Sequence, residues 1–146
     1  MEEKVESLET LRNIAHELVA NLKAVDRATL ITLSGELGAG KTTFSQMVGE
    51  MLGVSEHMVS PTFVLEKIYD LPSTTEFSKL IHIDAYRLKS GDDLTALGFS
   101  ELLQDPTNII LLEWPERVID ALPRATVAIT LQVHEDGTRT YNEAYA

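Results

Sequence analysis

The chain has no cysteine among its 146 residues. That excludes a disulfide framework, thiolate catalysis and cysteine-based zinc sites. Basic residues are scarce. Twelve Lys and Arg stand against 23 Asp and Glu, a formal net charge of −11. Such a surface repels a polyanion, which argues against extensive direct contact with DNA or RNA. No apolar run reaches the roughly 18 residues that a membrane span requires. The first residues, Met-Glu-Glu-Lys, are acidic and lack an apolar signal core, so no secretory signal is expected. Repeats and low-complexity tracts are missing as well. What is left is the expectation of a cytoplasmic protein. Its apolar content is 44%, its mean hydropathy is near zero, and its length suits one domain over residues 1–146 with a real core.

Against this background one stretch stands out: Gly35, Glu36, Leu37, Gly38, Ala39, Gly40, Lys41 and Thr42, followed by Thr43. It fits the phosphate-binding pattern G-x-x-x-x-G-K-[ST] at every fixed position. Ala28 to Ser34 before it reads as a short buried strand. Phe44, Met47, Val48, Met51 and Leu52 after it form an apolar stripe at helical spacing, and Gly53 stands where a helix C-cap would be. The glycines let successive backbone N–H groups turn inward around a phosphate chain, and the helix adds its positive N-terminal end. Lys41 would reach the β- and γ-phosphates, and the Thr42 hydroxyl would ligate Mg²⁺. A nucleoside triphosphate with magnesium is therefore the expected ligand.

Around that centre the pattern reads as alternating helices and strands. Residues 7 to 23 predict an amphipathic helix with Ser7 as N-cap. Phe63 to Tyr69 and Lys79 to Asp84 predict two strands joined through Leu71-Pro72-Ser73, an antiparallel hairpin beside a parallel core. Residues 90 to 104 read as helical with a break at Gly98. Asn108 to Glu113 is a continuous apolar strand ending in a carboxylate, as in a buried parallel sheet. Pro115 suits the first position of a short helix. Ala125 to Val133, a turn at Glu135-Asp136-Gly137, and Thr138 to Asn142 complete the chain. The fold class expected is α/β: a three-layer P-loop NTPase fold with a mostly parallel central sheet plus antiparallel strands.

A phosphate loop needs a carboxylate for its metal, and in open α/β sheets ligands bind beyond the carboxyl ends of the strands. Two acidic residues end apolar strands: Glu113 after Ile109 to Leu112, and Asp84 after Leu80 to Ile83. One would hold the metal and the other would position the attacking water. The residues alone leave that division open. Thr62, in Ser60-Pro61-Thr62-Phe63, either meets a γ-phosphate or belongs to a rigid approach to a strand. His82 faces away from Ile81 and Ile83 and reads as a supporting residue. Trp114, the single tryptophan, either packs over the site or contacts a partner.

Four motifs stand in order: Gly-Glu-Leu-Gly-Ala-Gly-Lys-Thr-Thr at 35 to 43, Ser-Pro-Thr-Phe at 60 to 63, His-Ile-Asp-Ala-Tyr-Arg at 82 to 87, and Glu-Trp-Pro at 113 to 115. The series resembles the bacterial TsaE (YjeE) family, the ATPase component of tRNA threonylcarbamoyladenosine biosynthesis. The resemblance implies a small P-loop ATPase that binds ATP and Mg²⁺ and joins the TsaB–TsaD pair. There, hydrolysis would reset the complex that modifies tRNA. It implies Thr42 and Glu113 as magnesium ligands, Asp84 as the carboxylate acting in hydrolysis and Thr62 in a switch-like segment. It implies Trp114 near the nucleotide and the partner surface. The preference for ATP over GTP rests on the resemblance alone. The competing class is a small-molecule or nucleotide kinase. Such an enzyme usually closes an Arg-rich lid, and here six arginines are spread along the chain with no cluster after the loop helix.

Overall fold

The computed structural model describes residues 2–58 and 65–146. Its elements run β1 (Glu2–Val5), α1 (Leu8–Asn21), β2 (Thr29–Ser34), α2 (Lys41–Leu52), β3 (Glu66–Asp70), β4 (Lys79–Asp84), α3 (Gly91–Thr95), α4 (Phe99–Gln104), β5 (Asn108–Glu113), a 3-10 helix (Pro115–Ala121), β6 (Val127–Val133) and β7 (Arg139–Tyr145). The strands form one sheet in the order β1-β7-β6-β2-β5-β4-β3. The central four, β6, β2, β5 and β4, pair in parallel. Antiparallel partners flank them: β3 on β4, and β7 then β1 on the far side of β6. The α/β expectation with a parallel centre and antiparallel additions is met.

Burial follows strand parity. Ile109 and Leu111 of β5 face a core built with Leu11, Ile14 and Leu18 of α1 and Phe44, Met47 and Val48 of α2. Ile110 and Leu112 face a second core with Leu94, Phe99 and Val118. Both faces of β5 are covered, which is why its interior reads as unbroken apolar sequence. Each fully buried Leu or Ile contributes about 1.5–3 kcal/mol. The two cores make the three layers.

Helix α1 starts as expected: the Ser7 hydroxyl accepts from Thr10 N–H at 3.1 Å. Helix α2 ends on Gly53 at φ +93°, whose N–H returns to Glu50 O at 3.1 Å. Three features differ from the sequence expectation. β1 was not foreseen; the polar Glu2–Val5 carries no strand periodicity and is ordered by pairing with β7. β7 runs to Tyr145 rather than Asn142, through its ladder with β6. Of the strand expected over Phe63 to Tyr69, the described part runs Glu66–Asp70, and Thr62, Phe63 and Val64 lie outside the described residues. Among the described residues, no helix is long and apolar enough to cross a membrane.

Candidate functional site

The site is assembled by sheet register. Parallel pairing sets Glu113 opposite Leu33 on one side and opposite Asp84 on the other. The last residues of β2, β5 and β4 therefore share one edge of the sheet, the carboxyl edge where crevice ligands bind. Parity does the rest. Residues 80, 82 and 84 of β4 and 109, 111 and 113 of β5 point to the face that carries α2. Asp84, His82 and Glu113 thus meet the first turn of α2. Backbone bonds hold the strand ends in place: Trp114 N–H donates to Leu33 O at 3.1 Å and Ala85 N–H to Glu113 O at 3.0 Å.

The loop from Gly35 to Gly40 links β2 to α2. Gly38 and Gly40 take φ of +81° and +106°, a region that L side chains disfavour. Gly40 is the N-cap of α2 and supplies no side-chain cap, so the first-turn N–H groups face the loop. Gly35 is the tightest position. At φ +150°, a Cβ there would lie 2.4 Å from Leu131 O. Gly35→Ala is expected to lower unfolding free energy by about 2–4 kcal/mol, combining overpacking with backbone strain. Urea unfolding would measure it, and a midpoint equal to wild type would contradict this loop geometry. Arg139 of β7 braces the loop from outside, donating to Gly38 O at 3.2 Å and Ala39 O at 3.4 Å.

Lys41 is buried, with its side chain folded back along the loop. Its Nζ donates to Gly35 O at 2.5 Å and Glu36 O at 2.9 Å, and sits 4.1 Å from the centre of the Trp114 ring. Burial lowers its pKa, and the charges of Glu113, Glu116 and Asp84 oppose that shift. The Thr42 hydroxyl donates to Glu113, 3.1 Å from Oε1 and 3.3 Å from Oε2. His82 Nε2 lies 2.6 Å from Glu113 Oε2, with both side chains buried. Asp84 Oδ1 accepts from Tyr86 N–H at 2.9 Å. Burial raises the Asp84 pKa and Glu113 adds to the rise, while the Tyr86 N–H, His82 and Lys41 pull it down.

A cleft of about 390 Å³ opens over this cluster, lined by Lys41, Thr42, Asp84, Arg87, Glu113 and Trp114. Two more openings adjoin the loop. One, of about 680 Å³, runs from Gly35 past Trp114 to the end of β6. The other, of about 430 Å³, lies between Gly38–Gly40, the start of α1 and Arg139. Trp114 adopts a left-handed conformation at φ +62° and packs its ring 4.9 Å from Tyr86. It forms the wall between the first two openings.

The donor set suits a magnesium ion. Neighbouring oxygens of an octahedral Mg²⁺ shell, each about 2.1 Å from the metal, lie about 3 Å apart. Thr42 Oγ1 and Glu113 Oε1 are 3.1 Å apart. Among the described residues no three His, Cys, Asp or Glu side chains form a metal-holding group. Magnesium is commonly held by one or two protein oxygens together with phosphates and waters, so two suffice.

Sequence reasoning identified the loop and both carboxylates, and the structure brings Lys41, Thr42, Asp84, Glu113 and Trp114 together. It missed three contacts. The His82–Glu113 bond spans 31 residues, and only the shared parity of 82 and 84 hinted at it. The Lys41–Trp114 contact and the reach of Arg139 to the loop had no local signal.

A glycine loop joining a central strand to its helix, at the carboxyl edge of a parallel sheet, defines the P-loop NTPase fold, and this chain has it. The family model for threonylcarbamoyl adenosine biosynthesis protein TsaE matches residues 5–141. The chain belongs to the TsaE family. It is 41% identical over 113 residues to the tRNA threonylcarbamoyladenosine biosynthesis protein TsaE of Streptomyces coelicolor, covering 77% of this chain and 72% of that one. It is 38% identical over 117 residues to the protein of that name from Treponema pallidum, covering 80% and 82%. The crystal structure of YdiB from Bacillus subtilis superposes with a TM-score of 0.75 at 26% identity, covering 100% of this chain and 86% of that one.

Proposed function

We propose that this protein binds ATP with Mg²⁺ and hydrolyses it as a subunit of the complex that makes tRNA threonylcarbamoyladenosine, resetting the TsaB–TsaD transferase between turnovers. The observation that carries the reading is the convergence of Lys41, Thr42, Glu113 and Asp84 under the glycine loop, with Thr42 and Glu113 at the spacing of two magnesium ligands. The pathway and partners are supported by family membership and by the names of the relatives.

Each residue has a chemical task. The loop N–H groups and the start of α2 receive the phosphate oxygens. Lys41 exchanges its bonds to Gly35 O and Glu36 O for the β- and γ-phosphates. Thr42 and Glu113 hold the cation, which when bound neutralises negative charge on the phosphate oxygens. Asp84 orients water for in-line attack on the γ-phosphorus. Water forms the new P–O bond, the bond to the bridging oxygen breaks, ADP and phosphate leave, and the water's proton passes to the Asp84 carboxylate. Thr62 remains an expected member of the nucleotide-responsive segment.

The test is ATP turnover by this chain with and without a TsaB–TsaD pair. Slow release of free phosphate alone, strongly stimulated by the pair, is the expected result. A phosphorylated small molecule in place of free phosphate would establish a kinase instead, and no response to the pair would overturn the resetting role.

A further inference from the structure

Nothing in the proposed chemistry accounts for His82. It is fully buried on β4, among apolar neighbours, where an ionisable ring is costly without a purpose. Its Nε2 makes a 2.6 Å bond to Glu113 Oε2, while its Nδ1 is buried with no partner among the described residues. A carboxylate oxygen at 2.6 Å accepts, so the ring nitrogen that faces it, Nε2, must donate. The ring proton therefore belongs on Nε2, which makes His82 a hydrogen-bond donor to Oε2. On the other side of the same carboxylate, Thr42 Oγ1 is nearer to Oε1. Glu113 is thus held from two sides: His82 engages Oε2 alone, while the Thr42 hydroxyl reaches both oxygens, 3.1 Å from Oε1 and 3.3 Å from Oε2.

We infer that His82 is the positioning residue for Glu113, holding Oε2 so that a single carboxylate oxygen is offered to the cation, and that this favours magnesium over calcium. Magnesium needs a small octahedral shell with well-placed oxygens, whereas calcium accepts six to eight ligands and readily takes both oxygens of a carboxylate. A Glu113 free to rotate would serve calcium at least as well. With one lone pair of Oε2 taken by the His82 N–H, that oxygen is a poorer second ligand, so the two-oxygen mode gains less than it would with a free carboxylate. The inference rests on Thr42 and Glu113 being magnesium ligands.

The experiment compares the full chain with its His82→Phe and His82→Gln variants. Phenylalanine keeps the ring volume and removes the donor, while glutamine returns an N–H donor near the position of Nε2. MgCl₂ and CaCl₂ are titrated separately in the presence of ADP and read by the fluorescence of Trp114, the single tryptophan. ADP affinity in EDTA and the thermal midpoint are measured alongside. His82→Phe is expected to raise the magnesium midpoint by about 10–100-fold, as loss of a partner supporting a metal ligand typically does. The calcium midpoint should move much less, metal-free ADP affinity should stay at the wild-type value, and His82→Gln should restore magnesium binding. The inference is overturned if His82→Phe keeps the wild-type magnesium midpoint. It is also overturned if magnesium, calcium and metal-free binding all weaken together, or if a folded His82→Gln variant fails to restore magnesium. A wild-type chain with no magnesium response would remove the ligand assignment itself, and the inference with it. A responsive wild type matched by His82→Phe removes the inference alone.

Discussion

Asp84→Asn should bind ATP and magnesium as wild type does, yet lose hydrolysis by about 100- to 10,000-fold, the range typical of removing a positioned acid–base group. The substitution is clean because Asn offers the same oxygen to the Tyr86 N–H that Asp84 Oδ1 now accepts at 2.9 Å. The turn after β4 therefore keeps its bond. Stability supplies an independent check. Burial raises the Asp84 pKa in the folded protein, so the folded state holds that proton more tightly than the unfolded state. Wild-type stability at this group is lowest where the carboxylate is ionised and recovers as pH falls through the raised value toward the unfolded one. Asp84→Asn removes that penalty. At neutral pH the free variant should unfold at or above the wild-type midpoint, and the difference should vanish below the ordinary aspartate range. A variant that unfolds early, or that hydrolyses ATP normally in the full complex, would make Asp84 a structural residue.

Lys41→Ala should reduce ATP affinity by about 100-fold or more. Two hydrogen bonds to charged groups at about 1.5–3 kcal/mol each account for at least 3 kcal/mol, which is more than two decades. The fold should survive. The Lys41 side chain lies along the loop and belongs to neither hydrophobic core, so its truncation leaves both cores intact. Calorimetric titration with ATP, beside thermal unfolding of the free variant, measures both. Unchanged affinity would remove the loop from nucleotide binding altogether.

How far the sequence carried these expectations depends on distance along the chain. β5 was read residue for residue, because burial on both faces writes itself as Ile109-Ile110-Leu111-Leu112. The loop and α2 were read equally well, since glycines at positive φ and a helical apolar stripe are local signals. Both strand-end carboxylates were found for the same reason. Their juxtaposition, Asp84 opposite Glu113, is a register between strands and is written nowhere locally. β1 was missed because Glu-Glu-Lys-Val, three charged residues and one valine, becomes a strand only when Arg139–Asn142 arrives beside it. His82 shows the limit at the site itself: parity gave the side it faces, while its partner had to come from another strand.

The sheet's two outer strands carry a consequence for assembly. β1 is Glu-Glu-Lys-Val, and β3 is Glu-Lys-Ile-Tyr-Asp with Asp70 paired to Lys79 at 2.8 Å. Charge along an unpaired strand deters a second chain from adding there, because its backbone would have to pair across a row of ionised side chains. Both borders carry charge of this kind, which works against growth of the sheet in either direction. Strand-swapped dimers and fibrous stacking are disfavoured by the charged residues of these two strands.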